Sequence, residues 1–224
     1  MGRIRIISDI HQKYIEYLEV LSTCEYSIQL GDFGFDYKVL TDLNIVDWSK
    51  HKMFQGNHDN TDIIDTHPGY LGKYGEFELN GIKGFFIGGA FSVDKERRME
   101  YERQTGIKVW WEEEQLSQKE LGDAIELYSK IKPDLVISHS CPISVSRKLG
   151  SKSVLRHFGF DPDTFTTRTQ DALQACLDIH KPQLWHFGHL HLNRDKTWKG
   201  TRFICKPELG WIDINDSLEI INES

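Results

Sequence analysis

Five short runs with apolar residues in this chain, two of them rich in β-branched residues, each stop on a cluster of acid, amide or imidazole side chains, and that pattern limits the folds open to it. Residues 3–8, RIRIIS, run into Asp9 and His11. Residues 26–30, YSIQL, run into GDFGFD with Asp32, and HKMFQ at 51–55 runs into GNHDN with Asn57, His58 and Asp59. Residues 134–138, DLVIS, end on His139, and QLWHF ends on Gly188, His189 and His191. Such runs read as strands, while YIEYLEVL and DALQACLDIH between them have helical spacing. Alternating strands and helices give an α/β fold, and open sheets of that class bind ligands beyond the carboxyl ends of their strands. Stretches distant in sequence therefore share one address.

The rest of the chain is organised around that alternation. Asn80-Gly81 sits between two apolar-rich runs and predicts a hairpin. A helix is expected from about Glu112 to Ile131, with Glu112, Glu113 and Glu114 as a solvated acidic start and Trp110 and Trp111 anchoring it to the core. The tail TRFICKPELGWIDINDSLEII reads as closing antiparallel strands. No linker or repeat interrupts the pattern, so residues 1–224 are expected to form a single domain. Only about fifty positions separate His139 from His189, which predicts a small cap and an open cleft. The strand GFFIGG is expected to deliver the loop AFSVDKERR to the same edge, where Arg97 or Arg98 would bind substrate phosphate.

The donor types point to metal. Asp9 and His11 are one residue apart, as are His189 and His191, and in extended backbone such pairs project to one side. Asp9, His11, Asp32, Asn57, His139, His189 and His191 offer imidazoles, carboxylates and an amide oxygen, more than one ion of ordinary coordination takes. The set suits two ions ~3.5–4 Å apart that share a carboxylate. Nitrogen and oxygen donors without thiolate favour Mn, Fe, Zn, Ni or Co over Ca or Mg.

The ordered set Asp-x-His, Gly-Asp, Gly-Asn-His-Asp, a lone His after a strand, and Gly-His-x-His resembles the calcineurin-like metallophosphoesterases. The resemblance spans residues 9–191. It implies a four-layer α/β/β/α sandwich of mixed sheets with two divalent transition metals, manganese first, at one edge. It places Asp9, His11 and His191 on one metal, Asn57, His139 and His189 on the other, and Asp32 between them. His58 becomes the general acid in the hydrolysis of a phosphomonoester or phosphodiester by in-line attack of a metal-bound hydroxide, with Asp59 beside it as a further catalytic candidate. Two departures stand out. FGFD replaces the Asp-Arg-Gly continuation of the protein serine/threonine phosphatases, and Phe35 stands where several members carry a polar residue that supports the catalytic histidine. Asp36 or Asp59 is a substitute for that support. An inactive scaffold of the same fold that binds partner proteins, and a metal hydrolase acting on a non-phosphate bond, are the alternatives.

Composition narrows the partners. A net charge of -7 argues against an extended nucleic-acid surface, which needs a basic stripe, and leaves a phosphorylated small molecule or nucleotide as substrate. Cys24, Cys141, Cys176 and Cys205 form no C-x-x-C pair and read as reduced thiols. With no apolar run near the ~20 residues of a membrane span, and none suited to a signal peptide at the start, a cytoplasmic protein without membrane partners is expected.

Overall fold

The computed structural model describes residues 2–42 and 44–224. Two mixed sheets face each other across an apolar layer. The first holds β1 (Arg3–Ile7), β2 (Ser27–Gln29) and β3 (His51–Met53) in parallel, extended past β1 by β10 (Trp211–Asn215) and β11 (Ile220–Glu223), both antiparallel to their neighbours. The second has the order β4-β5-β6-β7-β9-β8, from β4 (Tyr74–Leu79), β5 (Ile82–Ile87), β6 (Leu135–Ser138), β7 (Leu184–Phe187), β8 (Arg194–Trp198) and β9 (Thr201–Cys205). Here β5, β6, β7 and β9 are parallel, and β4 and β8 close the edges as antiparallel partners.

Alternation within each strand decides what each face meets. Ile4 and Ile6 of β1 point to the same interior as Leu135 and Ile137 of β6, joined by Ile28, Phe54, Phe86, Leu184 and Ile204 between the sheets. Ile7 faces the other way, against Tyr17 and Leu21 of α1 (Tyr14–Leu21) and Leu40 of α2 (Lys38–Thr41). On the far side of the second sheet, Phe85, Val136 and Trp185 pack on Leu121, Ala124 and Tyr128 of α4 (Gln118–Ile131) and Leu173 and Cys176 of α7 (Arg168–Ile179). The result is the expected α/β/β/α sandwich. Among the described residues, no helix is long and apolar enough to cross a membrane.

The expected hairpin forms, with Asn80 and Gly81 both at positive φ, 49° and 79°, as a tight two-residue turn requires. Other expectations are corrected. The segment expected as one helix from Glu112 divides into a short 3-10 turn, Glu112–Glu114, and α4, which starts only after Ser117. The reason is local: Ser117 and Glu120 form a capping box that fixes the helix start there. Glu114 is buried rather than solvated. Arg97 and Arg98 lie not on a loop but in α3 (Lys95–Thr105). The tail strands are split between the sheets: β8 and β9 complete the second, β10 and β11 the first. Between β6 and α7, the helices α5 (Ile143–Leu149) and α6 (Lys152–His157) stand over the sheet edge.

Candidate metal centre

Strand ends of both sheets open onto one cleft. Asp9 follows β1, Asp32 follows β2, Asn57 follows β3, His139 follows β6, and His189 and His191 follow β7. Ligand atoms of Asp9, His11, Asp32 and His191 all lie within 4.8 Å of one another. Nε2 of His11 and Nε2 of His191 are 3.0 Å apart, and each is near a carboxylate, Asp32 at 3.5 Å and Asp9 at 3.6 Å respectively. Beside this group, His139 Nε2 is 2.8 Å from Asn57 Oδ1 and 3.3 Å from Asp32 Oδ1, and the rings of His139 and His189 are 5.2 Å apart. All seven residues are thus brought together around Asp9 and Asp32.

The pairs do not converge for the expected reason. His11, His189 and His191 have φ of 45°, 65° and 49°, and Asp32 has 59°, all left-handed rather than extended. A chain that must reverse immediately past a strand end has little room for regular backbone. Such residues cost of order 1–3 kcal/mol each and persist where the surroundings fix them. Gly188 sits against the same carboxylate: a Cβ there would lie 2.7 Å from Asp9 Oδ2, so close approach of the carboxylate requires glycine. That approach lets the His189 amide donate to both Asp9 oxygens, at 2.9 and 3.1 Å.

The donor set passes a test for cations. His139 Nδ1 faces the Leu30 carbonyl at 2.8 Å and donates to it, which leaves Nε2 turned towards two acceptors, Asn57 Oδ1 and Asp32 Oδ1. Asn57 cannot turn its amide to relieve this, because its Nδ2 donates to Ser92 Oγ at 2.9 Å. Converging acceptors of this kind are stable only around positive charge. Although burial disfavours its charged form, the neighbouring Asp32 lifts His139 to about 9. Burial would raise both aspartates, yet His191 and His139 hold Asp9 below the usual carboxylate range, and His139 and His58 hold Asp32 well below it. Burial and the nearby His139 push His189 down to about 3, a neutral imidazole suited to ligation.

His58 stands at the rim, half-buried, its ring 5.2 Å from that of His11 and its amide donating to Asp32 Oδ1 at 2.7 Å. Burial lowers its pKa, opposed by Asp32. Neither aspartate proposed to support it does so. Asp36 Oδ1 accepts from the amide of Lys38 at the start of α2. Asp59, a catalytic candidate with a structural role as its alternative, braces the backbone. It accepts from the amides of Asp32, Gly34 and Gly56 at 2.8, 2.9 and 2.6 Å and from the Tyr37 hydroxyl at 3.2 Å. Phe35 packs 5.3 Å from the Trp111 ring.

The arginines are placed differently from one another. Arg98 is only 8% exposed and donates to Ser92 Oγ at 2.9 Å, to the Asn57 carbonyl at 3.2 Å, and to the Val109 carbonyl. Its guanidinium is committed to the loop that carries Asn57, so it is a support rather than a phosphate ligand. Arg97 is exposed, beside His157 Nε2 at 3.2 Å and over the Phe158 ring at 4.8 Å.

Two residues of the site, Ser92 and Glu208, are absent from the sequence reading, and a third, Glu114, is there only a solvated charge. Ser92 joins Asn57 to Glu114: its amide donates to Glu114 Oε1 at 3.0 Å and its hydroxyl to the other carboxylate oxygen. Glu208 Oε1 lies 3.6 Å from His191 Nδ1 and orients that ring from behind. Ser92 comes soon after β5 and Glu208 soon after β9, so the strand-end rule that found the ligands also points to them.

Comparison with known proteins agrees with this geometry. Residues 2–193 match the family described as Calcineurin-like phosphoesterase. None of the curated proteins matches the sequence. Among solved structures, one crystal structure aligns over 100% of this chain and 99% of its own, with a TM-score of 0.59 at 11% identity, a likeness of fold alone. An archaeal phosphodiesterase aligns over 99% of this chain and 98% of its own at 13% identity, with a TM-score of 0.45. Phosphopantetheinyl hydrolase from Mycobacterium tuberculosis aligns over 92% and 89% at 11% identity, also with a TM-score of 0.45.

Proposed function

The chain belongs to the calcineurin-like phosphoesterase family, and from that premise we propose that it is a dinuclear metal-dependent hydrolase of phosphomonoesters or phosphodiesters. The observation that carries this reading is the convergence of five nitrogen and oxygen donors, His11, Asn57, His139, His189 and His191, around two buried carboxylates, with His139 Nε2 facing only acceptors. Asp9, His11 and His191 would hold one cation, Asn57, His139 and His189 the other, and Asp32 would bridge them. When bound, two such cations neutralise phosphoryl oxygens and lower the pKa of water from ~15.7 towards ~7. Manganese is the first choice, with Fe, Zn, Ni or Co as alternatives for the same donors.

The remaining work belongs to side chains. His58, at the rim, donates a proton to the departing ester oxygen. Asp59 and the Asp32 carboxylate fix its loop through backbone amides. Glu114 and Ser92 hold the Asn57 amide oxygen towards the cleft, and Glu208 holds His191. The substrate is a phosphorylated small molecule or nucleotide, since a net charge of -7 does not suit an extended nucleic acid.

The test is a panel of phosphomonoesters, phosphodiesters and anilides given to chelator-stripped protein reloaded with Mn, Ni, Fe or Zn. Phosphoester turnover that depends on metal is expected, and Asp32→Asn should lose both bound metal and rate. Turnover of anilides alone, or none by a folded protein that has taken up two ions, would overturn the reading.

A further inference from the structure

A cavity of about 130 Å³ opens beside the metal centre, with His189 on its inner edge. Its apolar walls come from four separate segments: Phe91 and Val93 beyond β5, Ile143 on α5, Leu155 on α6, and Phe165 in the loop before α7. These walls are apolar, and the rings of Phe91 and Phe165 are 5.8 Å apart, with Phe160 packed against both. An apolar cavity of ~150 Å³ takes one benzene ring, so this one is sized for a single ring. Polar side chains complete the lining, Ser146, Arg147, Lys152 and Thr167 among them, and one more is left unpaired. Gln170, only 6% exposed, lines the cavity, and its Oε1 has no hydrogen-bond partner among the described residues. A buried acceptor left alone costs about 1–3 kcal/mol, a cost that a donor on an occupant removes.

We infer that this cavity receives the organic part of the phosphoester, a ring carrying an N–H or O–H donor that Gln170 Oε1 accepts. The inference rests on the phosphoesterase reading, because it places the phosphate at the metals and the ring at the far side of His189. It also changes the expectation of an open cleft: α5 and α6, in the short segment between His139 and His189, wall a defined subsite. One apolar wall alone would accept any grease. The buried acceptor without a partner is what selects a donor-bearing ring, since sites that meet a polar group discriminate far better than apolar ones.

The test compares ethyl, benzyl and 3-aminobenzyl phosphates, each as monoester and as methyl diester, on metal-replete protein. All leave as alkyl alcohols, so differences report binding of the ring. Benzyl esters should exceed ethyl esters in kcat/KM by at least about tenfold, and 3-aminobenzyl should exceed benzyl. Ser146→Phe and Val93→Phe, which fill the cavity from opposite sides, should erase the preference while ethyl turnover stays. Gln170→Leu should erase only the amino advantage, and it removes a buried unpaired acceptor, so folding is not at risk. Equal kcat/KM for ethyl and benzyl esters in the wild type overturns the subsite. If no ester is turned over, the phosphoesterase reading fails, and the cavity is then judged by ligand-observed NMR with 3-aminobenzyl phosphate. Binding that Ser146→Phe and Val93→Phe both abolish supports the cavity, and absent or unchanged binding overturns it.

Discussion

Replacing Ser92 with alanine removes one hydroxyl that three groups use. Its Oγ accepts from Asn57 Nδ2 and from Arg98 Nη1, both at 2.9 Å, and donates to Glu114. Ser92 is 1% exposed, Asn57 2% and Glu114 2%, so water does not replace the lost partner. Each buried polar group left unsatisfied costs about 1–3 kcal/mol. Arg98 keeps its bonds to the Asn57 and Val109 carbonyls, and Glu114 keeps the Ser92 amide, so most of the loss falls on the Asn57 amide. A total of about 2–4 kcal/mol follows, which for a chain of this size lowers Tm by roughly 4–16 °C. The functional consequence is distinct. Freed from Ser92, the amide turns its NH2 towards His139, and the Asn57 oxygen leaves the cleft. Loss of a group that orients a ligand typically costs 10–100-fold in metal affinity or activity. Metal titration and steady-state kinetics on Ser92→Ala, beside Ser92→Thr, which keeps the hydroxyl, make the assay. The second metal should bind about 10–100-fold more weakly in the alanine variant, with Ser92→Thr closer to wild type. A folded Ser92→Ala protein with lowered Tm but wild-type affinity for both ions would refute the reasoning and leave Ser92 a packing residue.

Other outcomes follow from the same geometry. His58→Asn should retain metal and lose ~10²–10⁴-fold in kcat on alkyl esters, with a much smaller loss on nitrophenyl esters; equal losses on both would remove the general-acid role. Arg97→Ala should leave kcat/KM unchanged, whereas Arg98→Lys, unable to reproduce the guanidinium fork on Ser92 and two carbonyls, should lower both Tm and kcat/KM; the reverse order in kinetics would restore Arg97 to the substrate. Arg5→Met should destabilise by about 3 kcal/mol, because buried Arg5 meets Asp213 through two bonds at 2.8 and 3.0 Å and only half-exposed Arg3 remains to replace it. Burial would raise Asp213, but Arg5 and Arg3 hold it below its usual range. Its contribution is therefore full above the unfolded carboxylate pKa of ~3.9 and fades as pH falls through the lower folded value. Denaturant melts should show the Arg5→Met deficit at pH 7 and a smaller one at acid pH; a deficit independent of pH would contradict the pairing.

What the sequence determined by itself was the list of donors and their common address. Strands such as RIRII and LVIS are legible from β-branched composition, and a parallel α/β arrangement sends their carboxyl ends to one edge. That rule alone located all seven ligand candidates before any contact was known. It was silent on how the ligands are held. The left-handed turns at His11, Asp32, His189 and His191 follow from loops crowded between two sheets, a constraint no local periodicity carries. Glu114 reads as a solvated charge because charged residues usually are, and Arg98 as a phosphate ligand because a guanidinium suits one. Only the packing of α3 and the 3-10 turn against Ser92 shows them buried and paired around Asn57, partners 41 and 22 positions away in sequence along this network. The cavity beside His189 is likewise a tertiary product. Its walls come from segments that have no pattern in common, and they meet only because α5 and α6 fold back over the sheet edge. Residue chemistry and strand periodicity are local properties, so a sequence carries them openly; burial and second partners depend on which distant segments share a volume, and only the folded chain decides that.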